Sequence, residues 1–200
     1  MPEAIIVAII GTAGVIGAAA IKAYFDFRAT KNSLDSDVVV YGAEIGIRVL
    51  NGNYVQSKIL ENGYAQLFAL EHHVKLWEIF EIAAANAPFS ISPNRPVHFG
   101  DKVAFRAKNN GNFVGTKNDS ERKELTADVK HVQEWEIFTI LPISPSKIGQ
   151  AIKYGDSFAL QAVNGLQVMY NRDGNGELVA TAPHVKAWET FMFVSPANPK

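Results

Sequence analysis

The stretches HVKLWEIF (His73–Phe80), HVQEWEIF (His131–Phe138) and HVKAWETF (His184–Phe191) carry one frame, His-Val-x-x-Trp-Glu-x-Phe, three times over. They contain all three tryptophans of the chain. Agreement at five positions of an eight-residue frame in three places is internal repetition rather than a product of composition. It extends upstream. Gly42, Gly100 and Gly155 each follow an aromatic residue and lie 35, 35 and 33 residues before Trp77, Trp135 and Trp188. The copies run from Tyr41 to Ile82, from Phe99 to Ile140 and from Tyr154 to Phe193.

Within each copy the pattern is β. Ile45, Ile47 and Val49 alternate with other residues, as do Val103, Phe105 and Ala107, and Phe158, Leu160 and Ala162. Asn51-Gly52, Asn110-Gly111 and Asn164-Gly165 close those runs. An Asn-Gly pair accepts the positive φ angles of a two-residue hairpin turn, so a second strand is expected at Tyr54, Phe113 and Gln167. A third carries Leu67 and Ala69, Leu125 and Ala127, Leu178 and Ala180, and a fourth is expected to start at each Trp. Units of about forty residues cannot each bury their own face, so the three must share a core. Closure around a pseudo-threefold axis also removes exposed strand edges. Four strands in each of three units predict an all-β protein, a β-trefoil, over residues 41–196, with repeats at about 41–82, 97–140 and 152–194.

The frame hydrophobic-x-Ala/Val-x-Asn-Gly-x-Tyr/Phe-Val, followed by Trp-Glu-x-Phe, resembles the repeat of fascin-like β-trefoil domains across residues 41–194. The Gln-x-Trp of ricin-type trefoils is not repeated: it stands once, as Gln133-Glu134-Trp135, and the other copies carry Lys75 and Lys186 in place of the Gln. The resemblance implies the fold and a binding role, with actin among the expected partners. Fascin strings four trefoils together where this chain has one, so cross-linking of filaments would require self-association.

Ahead of the repeats, Ala4–Ile21 reads AIIVAIIGTAGVIGAAAI, 18 residues without a charge. It is apolar on every face, as a membrane span needs, and at the short end of the roughly 17–25 residues a span requires. Residues 1–25 are therefore expected to form one hydrophobic α-helix anchoring the chain in a membrane, and 26–40 a linker and strand entry. Lys22, Arg28 and Lys31 follow the segment and no Lys or Arg precedes it, which places the repeats on the cytoplasmic side. Cleavage after the Gly17–Ala20 run would instead give a secreted protein. Ala13/Gly17 and Gly14/Ala18 are small-xxx-small pairs that permit self-association through this helix.

The 200 residues carry 19 Lys plus Arg against 20 Asp plus Glu, a balance that argues against nucleic-acid binding. No cysteine is present, which excludes disulfides, thiol nucleophiles and cysteine-ligated metals. No phosphate loop, Gly-x-Ser-x-Gly or His-Glu-x-x-His motif occurs.

Among the repeated residues, His73, His131 and His184 would suit a three-histidine metal site if they converged. The competing reading is that each closes the turn before the fourth strand. Glu78, Glu136 and Glu189 share strand parity with the core Phe80, Phe138 and Phe191, so each is expected to accept backbone N–H groups and fix its repeat. Identical placement assigns the tryptophans to core or barrel-end packing. Stacking on a ligand falls instead to the unshared aromatics Tyr64 and Tyr170. Thr116–His131 is dense in charges of alternating sign and reads as a solvated hairpin tip. Together these features predict a non-catalytic module without cofactor, tethered to a membrane through residues 4–21, that holds a protein or carbohydrate ligand. The alternative is a membrane-permeabilising protein whose N-terminal helix inserts and whose trefoil targets a receptor.

Overall fold

The computed structural model describes residues 37–85, 94–116 and 123–198. Contact clustering divides the chain into Met1–Asp37 and Val38–Lys200, and the described residues fall almost entirely in the second unit. The expected helix at 1–25 and most of the linker lie outside them. Among the described residues no helix is long and apolar enough to cross a membrane.

Each copy of the repeat supplies four antiparallel strands. They are β1 (Glu44–Val49), β2 (Tyr54–Ile59), β3 (Ala65–Glu71) and β4 (Ile79–Ala84) in the first. The second supplies β5 (Lys102–Ala107), β6 (Phe113–Thr116), β7 (Leu125–Val129) and β8 (Phe138–Pro142). The third supplies β9 (Ser157–Gln161), β10 (Gln167–Tyr170), β11 (Leu178–Ala182) and β12 (Phe191–Val194). The first and fourth strands of each copy pair with one another and with those of the neighbouring copies. The resulting circuit β1-β4-β5-β8-β9-β12 closes when β12 returns to β1 at Gly46↔Val194 through Val49↔Phe191. The remaining strands form the hairpins β2-β3, β6-β7 and β10-β11. These meet around the same axis through Gln66↔Thr126, Phe68↔Glu177 and Glu124↔Val179. Six barrel strands capped by three hairpins make a trefoil-like barrel, in which every barrel strand has a neighbour on both sides.

The core repeats as the strands do. Phe80, Phe138 and Phe191 are buried, as are Ile82, Ile140 and Phe193, and Ile45, Val103 and Phe158. Phe193 lies 4.2 Å from Phe158 and 6.1 Å from Phe105 between ring centroids, joining the second and third copies. Burying such a ring stabilises the fold by about 1.5–3 kcal/mol.

Two local expectations are corrected. The Asn-Gly pairs do not form two-residue turns with positive φ at both positions. Only Gly52, Gly111 and Gly165 adopt it, at +93°, +73° and +80°. Each Asn instead accepts with Oδ1 the backbone N–H two residues on, from Asn53, Asn112 and Leu166, at 2.9–3.0 Å. That Asx turn leaves the left-handed geometry to the glycine alone, so the loop is longer by at least one residue.

The fourth strand also begins later than expected. Trp77, Trp135 and Trp188 sit in short 3₁₀ turns at Leu76–Glu78, Glu134–Glu136 and Ala187–Glu189, and the strands start at Ile79, Phe138 and Phe191. The cause is the following glutamate. Glu78, Glu136 and Glu189 accept through Oε2 the backbone N–H of Lys75, Gln133 and Lys186 at 2.7–2.8 Å, winding the chain back on itself. All three are buried, with 3–5% of their surface exposed.

Candidate functional site

These turns display the tryptophans rather than bury them. Trp77 is 43% exposed and Trp135 and Trp188 are half-buried, so none is buried in the core, one of the two placements expected. Frame and burial diverge because the adjacent Glu points inward and turns the indole outward. Trp188 leans on the core, with its ring 5.9 Å from Tyr170 and the Arg172 guanidinium 5.6 Å from its centroid.

Trp77 instead lines an open groove of about 430 Å³. β2 contributes Gln56 and Lys58, the end of β3 Leu70 and Glu71, and the turn Lys75, Leu76 and Glu78. Leu70 and Leu76 are 43% and 55% exposed, which makes this a concentration of large apolar side chains at the surface. One flank of Leu70 packs on the third copy, where a Cβ added to Gly176 would stand 2.5 Å from Leu70 Cδ2.

The repeat supplies an internal control for this groove. Counting back from each Trp, the place of Leu70 is taken by Asp128 and Thr181, and that of Leu76 by Glu134 and Ala187. The same backbone carries acidic, hydroxyl or small side chains at these places in the other copies, where Asp128 accepts the Ala65 N–H at 2.8 Å. This exposed apolar cluster is the candidate site.

A second hollow, about 380 Å³, lies on β10-β11 and the loop between them, lined by Met169, Asn171, Asp173, Gly174, Val179 and Thr181. The loop is held from within by Asn171, whose Nδ2 donates to Glu177 Oε1 at 3.1 Å and whose Oδ1 accepts the Gly174 N–H at 3.1 Å. At the far end of β1 from its hairpin, Tyr41 donates its hydroxyl to Asp101 Oδ2 at 2.8 Å beneath the Arg95 guanidinium. Burial and then the Asp101 carboxylate push the Tyr41 phenol up to about 12. Phe99 and Lys147 extend this end, where Lys147 donates to Asp156 at 2.8 Å. Burial works to raise Asp156, but that ammonium and the Lys153 N–H outweigh it and hold the carboxyl below its ordinary value.

The expected site residues are dispersed. His73, His131 and His184 are all exposed at the starts of their turns, and among the described residues no group of three or more His, Asp or Glu stands where it could hold a metal. Tyr64 is half exposed in the β2-β3 connection. Tyr170 is a core residue, 8% exposed and packed against Trp188, which leaves its ring no open face for a ligand. The tip of the charged segment, residues 117–122, lies outside the described residues. Sequence reading passed over Leu70, Leu76 and Trp77. The signal that would have found them is their departure from the equivalent positions of the other copies.

The buried glutamates make a pH prediction. Burial raises the carboxyls of Glu78 and Glu136 above their ordinary value, partly offset by the N–H groups that cap them. The folded protein thus holds protons that the unfolded chain has released. This contribution is complete below the unfolded value and is lost as pH rises through the folded one. As pH falls from neutrality toward the ordinary carboxyl value of 4.5, the double variant Glu78→Gln, Glu136→Gln is expected to gain less thermal stability than the native protein. Parallel melting-temperature profiles would contradict it.

The sequence matches no protein-family model and no curated protein. Solved structures match on shape. A Caenorhabditis elegans protein of unknown function superposes with a TM-score of 0.64 at 16% identity, over 81% of this chain and 98% of that one. The SDF2-like protein from Arabidopsis thaliana gives 0.64 at 10% identity, over 78% and 94%. A designed three-fold symmetric protein, ThreeFoil, gives 0.56 at 8% identity, over 76% and 98%. At these identities the likeness shows the fold alone.

Proposed function

We propose that the chain is a non-catalytic, fascin-like binding module that holds a protein or carbohydrate ligand at the Trp77 groove and is tethered to a membrane through residues 4–21. The observation that carries the reading is the asymmetry among the copies: one of the three equivalent surfaces gathers Leu70, Leu76 and an exposed Trp77, while the others place acidic, hydroxyl or small residues beside their tryptophans. Exposed positions on a rigid scaffold are where recognition is carried, and this surface gathers the large apolar side chains that the other two lack. The uncharged Ala4–Ile21 segment supports the tether.

The full-length protein, solubilised in mild detergent, is screened on a glycan array and by co-sedimentation with filamentous actin. Retention of either ligand is expected, with loss in Trp77→Ala at unchanged melting temperature. Equal retention by that variant would remove the groove from the function. Extraction tests the tether: the full chain is expected to need detergent, and a chain beginning at Asp37 is expected to stay in the aqueous fraction. Full-length protein recovered there as a monomer would overturn it.

A further inference from the structure

We infer that the Trp77 groove takes a segment of another protein that presents one large apolar side chain beside carboxylates. This rests on the binding reading above and names the ligand class for the same site. Leu70, Leu76 and Trp77 form the apolar wall, with Lys58, Lys75 and Glu71 beside them. Two leucines flanking the indole suit an apolar side chain. A sugar ring carries hydroxyls around its edge, and those facing the leucines would lose their hydrogen bonds to water without replacement. A bilayer surface would be served by apolar side chains on a protruding tip, whereas these line a hollow, and Glu71 beside them opposes anionic lipid.

Charge selects further. Glu78 is buried and already accepts the Lys75 N–H, so the mouth of the groove presents Lys58 and Lys75 against the single carboxylate of Glu71. A complementary segment carries acidic residues next to its anchor, which guides encounter and fixes register. Tryptophan is among the residue types enriched at interface hot spots, and Trp77 lines this groove.

The other copies supply the control substitutions. Leu76→Glu and Leu70→Asp each install the residue that the second copy carries at the same place, and the melting temperature of Leu70→Asp is checked first because one flank of Leu70 packs against Gly176. Full-length protein in detergent micelles is used to select phage-displayed random dodecapeptides, with Leu76→Glu protein for counter-selection. Enriched peptides are expected to pair a large apolar residue with neighbouring Asp or Glu. Their affinity should fall about tenfold or more in Leu76→Glu and Leu70→Asp at unchanged melting temperature. The double variant Lys58→Ala, Lys75→Ala should bind several-fold more weakly and with a shallower salt dependence. If Leu76→Glu fails to fold, Leu76→Ala, the third copy's residue, carries the test. Peptides that bind the variants equally overturn the inference. So does a glycan, or a phosphatidylserine vesicle, whose retention is the one lost on these substitutions; either result leaves the binding-module reading standing. If peptides, glycans, actin and vesicles all fail to bind, both readings fall.

Discussion

Replacing Phe193 by alanine is expected to lower the free energy of unfolding by about 3–5 kcal/mol, near the top of the range for a single core truncation. The ring is fully buried, 4.2 Å from Phe158 and 6.1 Å from Phe105, and its strand β12 closes the circuit on β1. Removing it opens a cavity where two copies meet, lined by rings that stiff barrel strands prevent from closing in. Chemical denaturation of the full-length protein measures the effect. A loss under about 1.5 kcal/mol would mean that the neighbouring rings repack. Phe158→Leu, which keeps most of the volume at the adjacent position, should cost markedly less.

The second large effect is a coupling. Gly115 in β6 lies against the buried Glu136, and a Cβ there would meet Glu136 Oε1 at 2.5 Å. Gly115→Ala is therefore expected to destabilise by about 1–3 kcal/mol through overpacking. Glu136→Ala is expected to destabilise by about 1.5–3 kcal/mol, because it removes the charged acceptor of the Gln133 N–H at 2.8 Å. The two losses should not add. In the double variant the new methyl occupies space that the carboxylate has vacated, so the sum of the single effects should exceed the double by about 1 kcal/mol or more. Additivity within about 0.5 kcal/mol would show that the carboxylate is not wedged against β6.

How much of this was legible in the sequence divides along one line. Features that obey the threefold repeat were readable, because a pattern written three times separates requirement from accident. The strand alternation, the shared core of Phe80, Phe138 and Phe191, and the inward glutamates follow from periodicity and parity alone. What breaks the repeat was not read. Leu70 and Leu76 stand in the sequence beside Asp128, Thr181, Glu134 and Ala187, but aligning copies toward a consensus discards such differences, and exposure is not written in residue order. Tyr170 misled for the complementary reason. An aromatic near a hairpin looks available until the packing of Trp188 against it is known. Identical placement pointed the tryptophans toward packing, whereas the parity that sets Glu78, Glu136 and Glu189 inward with Phe80, Phe138 and Phe191 turns the preceding indole outward.

The pairing of β1 with β12 fixes when this domain can mature. Within it β1 is the first barrel strand to be made and β12 the last. Until then β1 has one open side, and the earlier copies have only part of their common interior. Such long-range closure is slow and leaves strand edges open to wrong partners. The same adjacency makes the domain a good subject for circular permutation. Joining residue 198 to residue 38 through a short linker and reopening the chain at Gly165 would make β12 and β1 neighbours in the chain and hand the late closure to β9, which pairs with β12 and β8.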